Sequence, residues 1–120
     1  MTEITAVPRL TVLREPASRT DLQDWGRARG SASPEMTTSG ITLWSDGSGA
    51  ETGVWECTVG SRHFTYETNE FITVLAGSMT VTPDGGEPIE IEAGDMVLFP
   101  AGWSGSWEIH ETLRKVYVVF

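Results

Sequence analysis

The chain has 120 residues, a net charge of −9 and only eight basic residues, and 39% of its residues are hydrophobic. This length indicates one domain with its own core. The basic residues are scattered, so we expect no nucleic-acid partner. No apolar run approaches the roughly 20 residues that cross a bilayer, and the amino terminus lacks the pattern of a secretory signal. We therefore expect a soluble, cytoplasmic protein without a membrane partner.

Residues 1–39 are predicted to form an arm and a loop. Two β-prone runs, at 4–7 and 10–13, are interrupted by prolines, which favours an edge strand or an arm that lies against another surface. Residues 21–29 are compatible with a turn of helix, and 30–40 with a loop. Because proteins tend to cover exposed strand edges, we predict a homodimer in which the arm takes part.

Residues 40–120 are predicted to form a barrel of short antiparallel strands. Glycine- and proline-containing turns separate the strands roughly every ten residues, without helical periodicity, which indicates an all-β sandwich or barrel. The turns are predicted to include 76–78 and 110–113. The predicted strands are 40–44, 54–59, 62–66, 71–75, 79–82, 89–92, 96–99, 106–109 and 115–120.

The stretch 60–77 carries the chemistry that the sequence suggests most clearly. It holds one carboxylate, Glu70, shortly after the aromatic residues Phe64 and Tyr66. Side chains alternate between the two faces of a strand, so these aromatic residues share one face and His63 lies on the other. Glu70 is therefore a candidate metal ligand, catalytic carboxylate or buried polar group.

Two spacings resemble the paired motifs of the cupin superfamily. The first joins Gly60, Glu70 and Gly77, and the second is GDMVLFPAG at 94–102. The resemblance implies an antiparallel double-stranded β-helix, the jelly-roll cupin barrel, with its site inside. The segments GVWECTVG, FPAGWSGSWEI and ETLRKVYVVF are similar to the branch related to ureidoglycine aminohydrolase and the cupin of ethanolamine utilisation.

The resemblance also shows where this chain departs from metal-binding cupins. Those proteins carry His-x-His before the glutamate, and the shorter spacing places Phe64 and Tyr66 at the two histidine positions. The longer spacing places His63 and Thr65 there, and the third histidine position falls on Gly105.

The histidine count decides against a three-histidine centre. The chain has two histidines, His63 and His110, so one subunit lacks the ligands for it. We expect no cofactor. The alternative is a metal-dependent aminohydrolase or isomerase that uses Glu70, His63 and non-histidine ligands. Otherwise His63 is predicted to point outward and His110 to lie on the surface.

We predict a barrel cavity that binds a small polar or charged metabolite. Glu70, Tyr66 and Lys115 are the candidate catalytic residues if the protein is a metal-independent enzyme; a non-catalytic binding module is equally open. As alternatives, Glu70 and Lys115 form an ion pair that only fixes the barrel, and the tryptophans pack in the core or an interface. The predicted ligand-binding residues are Phe64, Tyr66, Glu70, Trp103, Trp107, Lys115 and Tyr117.

Overall fold

The computed structural model describes residues 8–31 and 33–120, which form eight β-strands. All pairings between these strands are antiparallel, which confirms the predicted all-β fold. None of the described residues forms a helix long and apolar enough to cross a membrane. The strands are β1 (Gln23–Arg27), β2 (Thr37–Ser45), β3 (Glu51–Cys57), β4 (Gly60–Thr65), β5 (Glu70–Pro83), β6 (Ile89–Glu92), β7 (Met96–Phe99) and β8 (Ser104–Val119).

The two long strands β5 and β8 join the two halves of the barrel. Residues 70–73 of β5 pair with β7, and residues 78–81 pair with β6. Residues 104–109 of β8 pair with β4, and residues 113–119 pair with β3. Because β5 and β8 also pair with each other, one layer is β1-β2-β3-β8-β5-β7 and the other is β4-β8-β5-β6. This is the predicted jelly-roll arrangement.

The turns predicted at 76–78 and 110–113 are wrong, since both segments lie inside long strands. The β5–β8 register shifts between Val74 and Met79. At the centre of this irregular region, Gly77 has a φ of +88°, and a Cβ there would overlap the Thr112 carbonyl oxygen. β-Bulges use the same small residues as turns and bend a strand without ending it. The bulge therefore lets β5 contribute to both layers.

The helical turn considered at 21–29 is also wrong, because these residues contain strand β1. The register with β2 shifts between Asp24 and Gly26, where the Asp24 carboxylate accepts the Gly26 N–H at 2.8 Å. Gly26 has a φ of +81°, which suits a bulge better than a helix. The loop predicted at 30–40 ends where β2 begins at Thr37.

The described part of the arm, 8–20, forms no strand. Its inner end is held by the Arg114 guanidinium, which donates to the carbonyls of Pro16 and Arg19 at 3.0 and 2.8 Å. Further out, Leu10 and Val12 are 91% and 60% exposed. The β-prone run at 4–7 lies outside the described residues, and the run at 10–13 is not a strand. The role of the arm in a homodimer stays a prediction.

The core lies between the two layers and is built from inward-facing apolar side chains. Cys57 belongs to it, and burial raises the pKa of its thiol to about 11. Other fully or nearly fully buried members are Met36, Ile72, Val74, Met79, Val81, Phe99, Trp107, Ile109 and Leu113.

Candidate functional site

A cavity of about 320 Å³ opens on the inner face of the barrel. This volume lies at the lower end of the range for small-molecule sites. It is bounded by β3, β4, β5 and β8, with further side chains from β1 and the segment after it. Five of the seven predicted ligand-binding residues line it, namely Phe64, Tyr66, Glu70, Lys115 and Tyr117.

Strand alternation explains why charged side chains face this cavity. Glu70 shares the inner face of β5 with Ile72, as the sequence predicts, and both are buried. Ile72 pairs with Tyr117 of β8, so Lys115, two residues earlier, faces inward as well. Paired residues of an antiparallel ladder share a face. The sheet register therefore places Glu70 and Lys115 on the same inner face, where the long lysine side chain can reach the carboxylate.

Glu70 and Lys115 form a buried ion pair. The Lys115 Nζ donates to Glu70 Oε2 at 2.9 Å, and the two side chains are only 3% and 9% exposed. The ammonium also lies 4.4 Å from the ring centroid of Trp55 and 4.8 Å from that of Trp107. Burial lowers the pKa of Lys115, and the neighbouring Glu70 carboxylate partly opposes this shift.

Arg62 is a second cation of the cavity wall, which the sequence analysis missed. Its guanidinium lies 4.3 Å from the ring centroid of Trp107, 4.8 Å from Phe64 and 5.4 Å from Trp55. Burial lowers its pKa. Period-two alternation places Arg62 on the same face as Phe64, and this signal would have identified it.

Tyr66 lies between the cavity and the aromatic core. Its ring stacks on Phe99, with centroids 4.9 Å apart, and meets Phe64 edge-on at the same distance. The hydroxyl is buried and has no hydrogen-bond partner among the described residues. Burial and then the nearby Glu70 carboxylate raise the pKa of Tyr66 well above its ordinary value. The hydroxyl therefore stays protonated and is available to donate a hydrogen bond.

Tyr117 occupies another part of the wall. Its hydroxyl donates to Glu51 Oε2 at 2.5 Å. Burial, followed by this hydrogen bond, raises the pKa of Tyr117. The bond also occupies the Glu51 carboxylate, which lines the same cavity.

The other two predicted ligand-binding residues, Trp103 and Trp107, do not line this cavity. Trp107 is fully buried behind the wall and meets Trp55 edge-on, with centroids 6.1 Å apart. Trp103 is half-buried and packs against Phe99 and Tyr66, at 5.1 and 6.0 Å between centroids. Both tryptophans support the aromatic wall from outside the cavity.

The strand geometry settles which residues occupy the histidine positions of a metal-binding cupin. Phe64 and Tyr66 turn their rings towards the cavity. His63 does not line it, and Thr65 lies at its exposed edge with its hydroxyl hydrogen-bonded to that of Ser104, so the shorter spacing applies. His63 points outward, as predicted, with its Nε2 2.9 Å from Asp84 Oδ1. His110 also lies exposed on the surface, as predicted, although within strand β8.

The third histidine position is closed by an indole ring. Gly105 pairs with Phe64, and a Cβ on Gly105 would meet the Trp103 ring at about 2.5 Å. Within residues 8–31 and 33–120, no group of three or more His, Cys, Asp or Glu side chains is placed to hold a metal ion. Because His63 and Glu70 point to different sides of the barrel wall, the residues present do not fit a histidine-held metal.

Two further wall residues come from the segment predicted as an arm and loop. Trp25 of β1 packs on Gly40, and the exposed Arg29 lies 5.1 Å from the ring centroid of Phe64. The His63 N–H donates to the Gly30 carbonyl at 3.2 Å, which docks this segment on β4. No local sequence pattern signals these contacts, since they depend on how distant segments pack.

The fold and the cavity together define a small cupin whose inner histidine positions are aromatic. Residues 45–117 match the family model described as the EutQ-like cupin domain, and the chain belongs to this family. A comparison with curated proteins gave no match.

Solved structures of EutQ and related cupins share this fold. The chain is 19% identical to Clostridium difficile EutQ, with a TM-score of 0.66 over 78% of this chain and 75% of that one. It is 27% identical to a putative ethanolamine utilization protein Q from Salmonella typhimurium, with a TM-score of 0.65 over 79% and 76%. A DUF861 family protein from Thermotoga maritima is 39% identical, with a TM-score of 0.55 over 56% and 76%.

Proposed function

We propose that this cupin binds a small polar or charged metabolite in its barrel cavity, without a histidine-held metal. The observation that carries the proposal is the buried Glu70–Lys115 pair in the wall of a 320 Å³ cavity. Apolar walls with a few convergent polar groups are typical of metabolite sites. The aromatic rings of Trp55, Phe64 and Tyr66 supply the apolar part here.

A contribution to barrel stability does not by itself explain why Glu70 and Lys115 form a buried ion pair. A buried ion pair contributes little net stability, because the cost of removing both charges from water offsets their attraction. In contrast, a charged pair at a cavity wall offers a ligand both a donor and an acceptor. The buried Tyr66 hydroxyl adds another donor next to Glu70.

The same groups have the chemistry for metal-independent catalysis. Burial lowers the pKa of Lys115, which brings its neutral, basic form closer to neutral pH. The protonated Tyr66 hydroxyl can donate a hydrogen bond to negative charge that develops on a substrate. Turnover is a further step beyond binding, and it is tested separately.

A thermal-shift screen tests the binding proposal. The panel contains amino, ureido and carboxylic metabolites, including ethanolamine because of the name of the Salmonella relative. We expect at least one compound to raise the unfolding temperature of the wild type and of Glu87→Gln, an exposed control. The shift should be smaller in Glu70→Gln and in Lys115→Met. The proposal fails if no compound stabilises the wild type.

Two measurements separate the remaining alternatives. Product analysis of each stabilising compound tests for turnover, and turnover lost in Glu70→Gln would favour an enzyme over a binding module. Elemental analysis of protein purified without chelator tests the metal question. Stoichiometric manganese, iron, nickel or zinc that is lost in Glu70→Gln would contradict the proposal.

A further inference from the structure

The charges in the cavity wall do not balance around Arg62. Lys115 and Glu70 neutralise each other at 2.9 Å. No carboxylate of the described residues lies within 4.0 Å of the Arg62 guanidinium. The Arg62 Nη1 donates a long hydrogen bond to the backbone carbonyl of Arg29, at 3.4 Å. Arg62 is thus a cation of the wall without an anionic partner among the described residues.

The other carboxylates that line the cavity are occupied or peripheral. Glu51 accepts the Tyr117 hydroxyl, and Glu67 is exposed. Neither forms an ion pair with a described residue. Arg29 adds a second positive charge nearby, since its guanidinium lies over Phe64, which also contacts Arg62. Two guanidinium groups therefore lie against the Phe64 ring, and neither forms an ion pair with a described residue.

Two buried hydrogen-bond donors of this region also lack an acceptor at hydrogen-bond distance and angle among the described residues. The Nε of Arg62 and the hydroxyl of Tyr66 are buried, and neither has a partner among the described residues. Donors buried without acceptors carry a free-energy cost. An acceptor with several lone pairs placed between Arg62 and Tyr66 would reduce it. Some movement of the surrounding side chains must accompany such contact, because both atoms are covered.

We infer that the ligand of this cavity carries a carboxylate group, which pairs with the Arg62 guanidinium. The planar fork of a guanidinium matches the two oxygens of a carboxylate. Arg29 adds long-range attraction at the opening, and the aromatic walls cover the apolar remainder of the ligand. This inference rests on the proposed function and narrows it to one chemical class.

Matched pairs of carboxylates and amides test the inference on the unmodified protein. The probes are acetate and acetamide, succinate and succinamide, and benzoate and benzamide, with ethanolamine as a cationic probe. Isothermal titration calorimetry should show at least one carboxylate binding about 10- to 100-fold tighter than its amide, the range for a hydrogen bond to a charged group. Equal or tighter binding of the amides would overturn the inference.

Variants then assign the preference to Arg62. Arg62→Gln should remove the advantage of the carboxylate over its amide, and Arg62→Lys should retain part of it, since a lysine keeps the charge but loses the fork. Arg14→Gln is the matched control, because Arg14 is exposed and lies outside the cavity. An unchanged carboxylate advantage in a folded Arg62→Gln would overturn the assignment. The wild-type comparison of each pair remains decisive if that variant does not fold.

The outcomes separate this inference from the proposal on which it rests. Binding of amides or ethanolamine without binding of carboxylates leaves the metabolite site in place and removes the carboxylate assignment. No binding by any probe, together with a negative thermal-shift screen, contradicts both. A carboxylate preference lost in Arg62→Gln supports both.

Discussion

Loss of either Glu70 or Lys115 alone should cost more stability than the intact pair contributes. Removing one partner of a buried pair leaves an uncompensated charge, whereas removing both leaves apolar packing. The pair is also enclosed by the rings of Trp55 and Trp107, so water has little access to it. The two residues should therefore behave as one unit in mutational experiments.

We predict that Glu70→Gln lowers the free energy of unfolding by roughly 3–5 kcal/mol, the range for breaking a buried pair. The double variant Glu70→Gln/Lys115→Met should be more stable than Glu70→Gln, because it also removes the unpaired ammonium. Urea denaturation of the four members of the double-mutant cycle measures this coupling. Asp84→Asn is the control, since the His63–Asp84 pair is exposed and its loss should leave stability unchanged. Additive effects at Glu70 and Lys115 would contradict the prediction.

The stability of Glu70→Gln should depend on pH through Lys115. Glu70 opposes the lowering of the Lys115 pKa by burial, so its removal lowers this pKa further. Above the folded-state pKa and below that of the unfolded chain, the unfolded state binds more protons, and stability rises with pH. The deficit of Glu70→Gln relative to wild type should therefore shrink as the pH rises through the interval in which Lys115 is already neutral in the folded variant and still charged in the folded wild type.

Urea titrations at several pH values measure this trend. Lys115→Met added to Glu70→Gln is the control, since the double variant lacks the titrating group. The expected pH dependence should disappear in it. Parallel pH profiles for wild type and Glu70→Gln would contradict the prediction.

The sequence alone predicted part of the cavity lining. Phe64, Tyr66 and Glu70 follow from strand alternation, which is a local property of the backbone. The Lys115–Glu70 contact required the correct pairing of β5 with β8, and the sequence suggested it only as an alternative. Arg62 obeyed the same alternation but was missed, because an arginine in a strand is usually expected to face solvent.

At the level of elements, the bulge in β5 holds the two layers together. Gly77 has a φ of +88° and lies against the Thr112 carbonyl oxygen of β8. A side chain there would meet both backbone strain and overlap with a partner strand. The jelly-roll closure therefore depends on a residue without a Cβ at this position.

We predict that Gly77→Ala destabilises the protein by more than about 2 kcal/mol, from the left-handed conformation and the overlap together. Gly47→Ala is the matched control, because Gly47 has a similar φ of +78° with open space around it. That control should lose only about 1 kcal/mol. Chemical denaturation of both variants provides the comparison. Equal losses would show that the overlap is relieved by a small backbone shift.

Strand positions were easier to predict than strand continuity. Short segments at 89–92 and 96–99 match β6 and β7, because turn residues flank them clearly. The two long strands were each predicted as two, since local residue types do not distinguish a bulge from a turn. Strand β1 was missed for a related reason: Gly26 interrupts its pattern, and its partner β2 stabilises it from outside the segment.

For the whole molecule, the arm and one outer sheet face support the predicted homodimer. Leu10 and Val12 of the arm are exposed, as are Met96 and Leu98 on the outward face of β7. Phe71 pairs with Leu98 and extends this apolar face. Apolar patches of this kind often mark subunit interfaces. In the proposed homodimer, the outward face of β7 in one subunit packs against the same face of the other subunit, and the two arms cover the rest of the exposed apolar surface.

Sedimentation equilibrium of the full chain should therefore give twice the 13.1 kDa mass of one chain. Leu98→Lys should shift the equilibrium towards monomer, and so should deletion of residues 1–13, which keeps the Arg114 contacts with Pro16 and Arg19. Val59→Lys is the control, because Val59 is an exposed apolar residue of the loop between β3 and β4. A monomeric wild type would contradict the proposed dimer.

The indole rings around the cavity also give the protein a built-in optical reporter. Trp25 and Trp55 line the cavity, and Trp107 lies beside the Arg62 guanidinium. Indole emission responds to nearby charges, so neutralising Arg62 should change the intrinsic fluorescence. Trp44 is 48% exposed and should report mainly on bulk solvent. If the proposed ligand binds, its occupancy should therefore be measurable in solution without a label on the protein or the ligand.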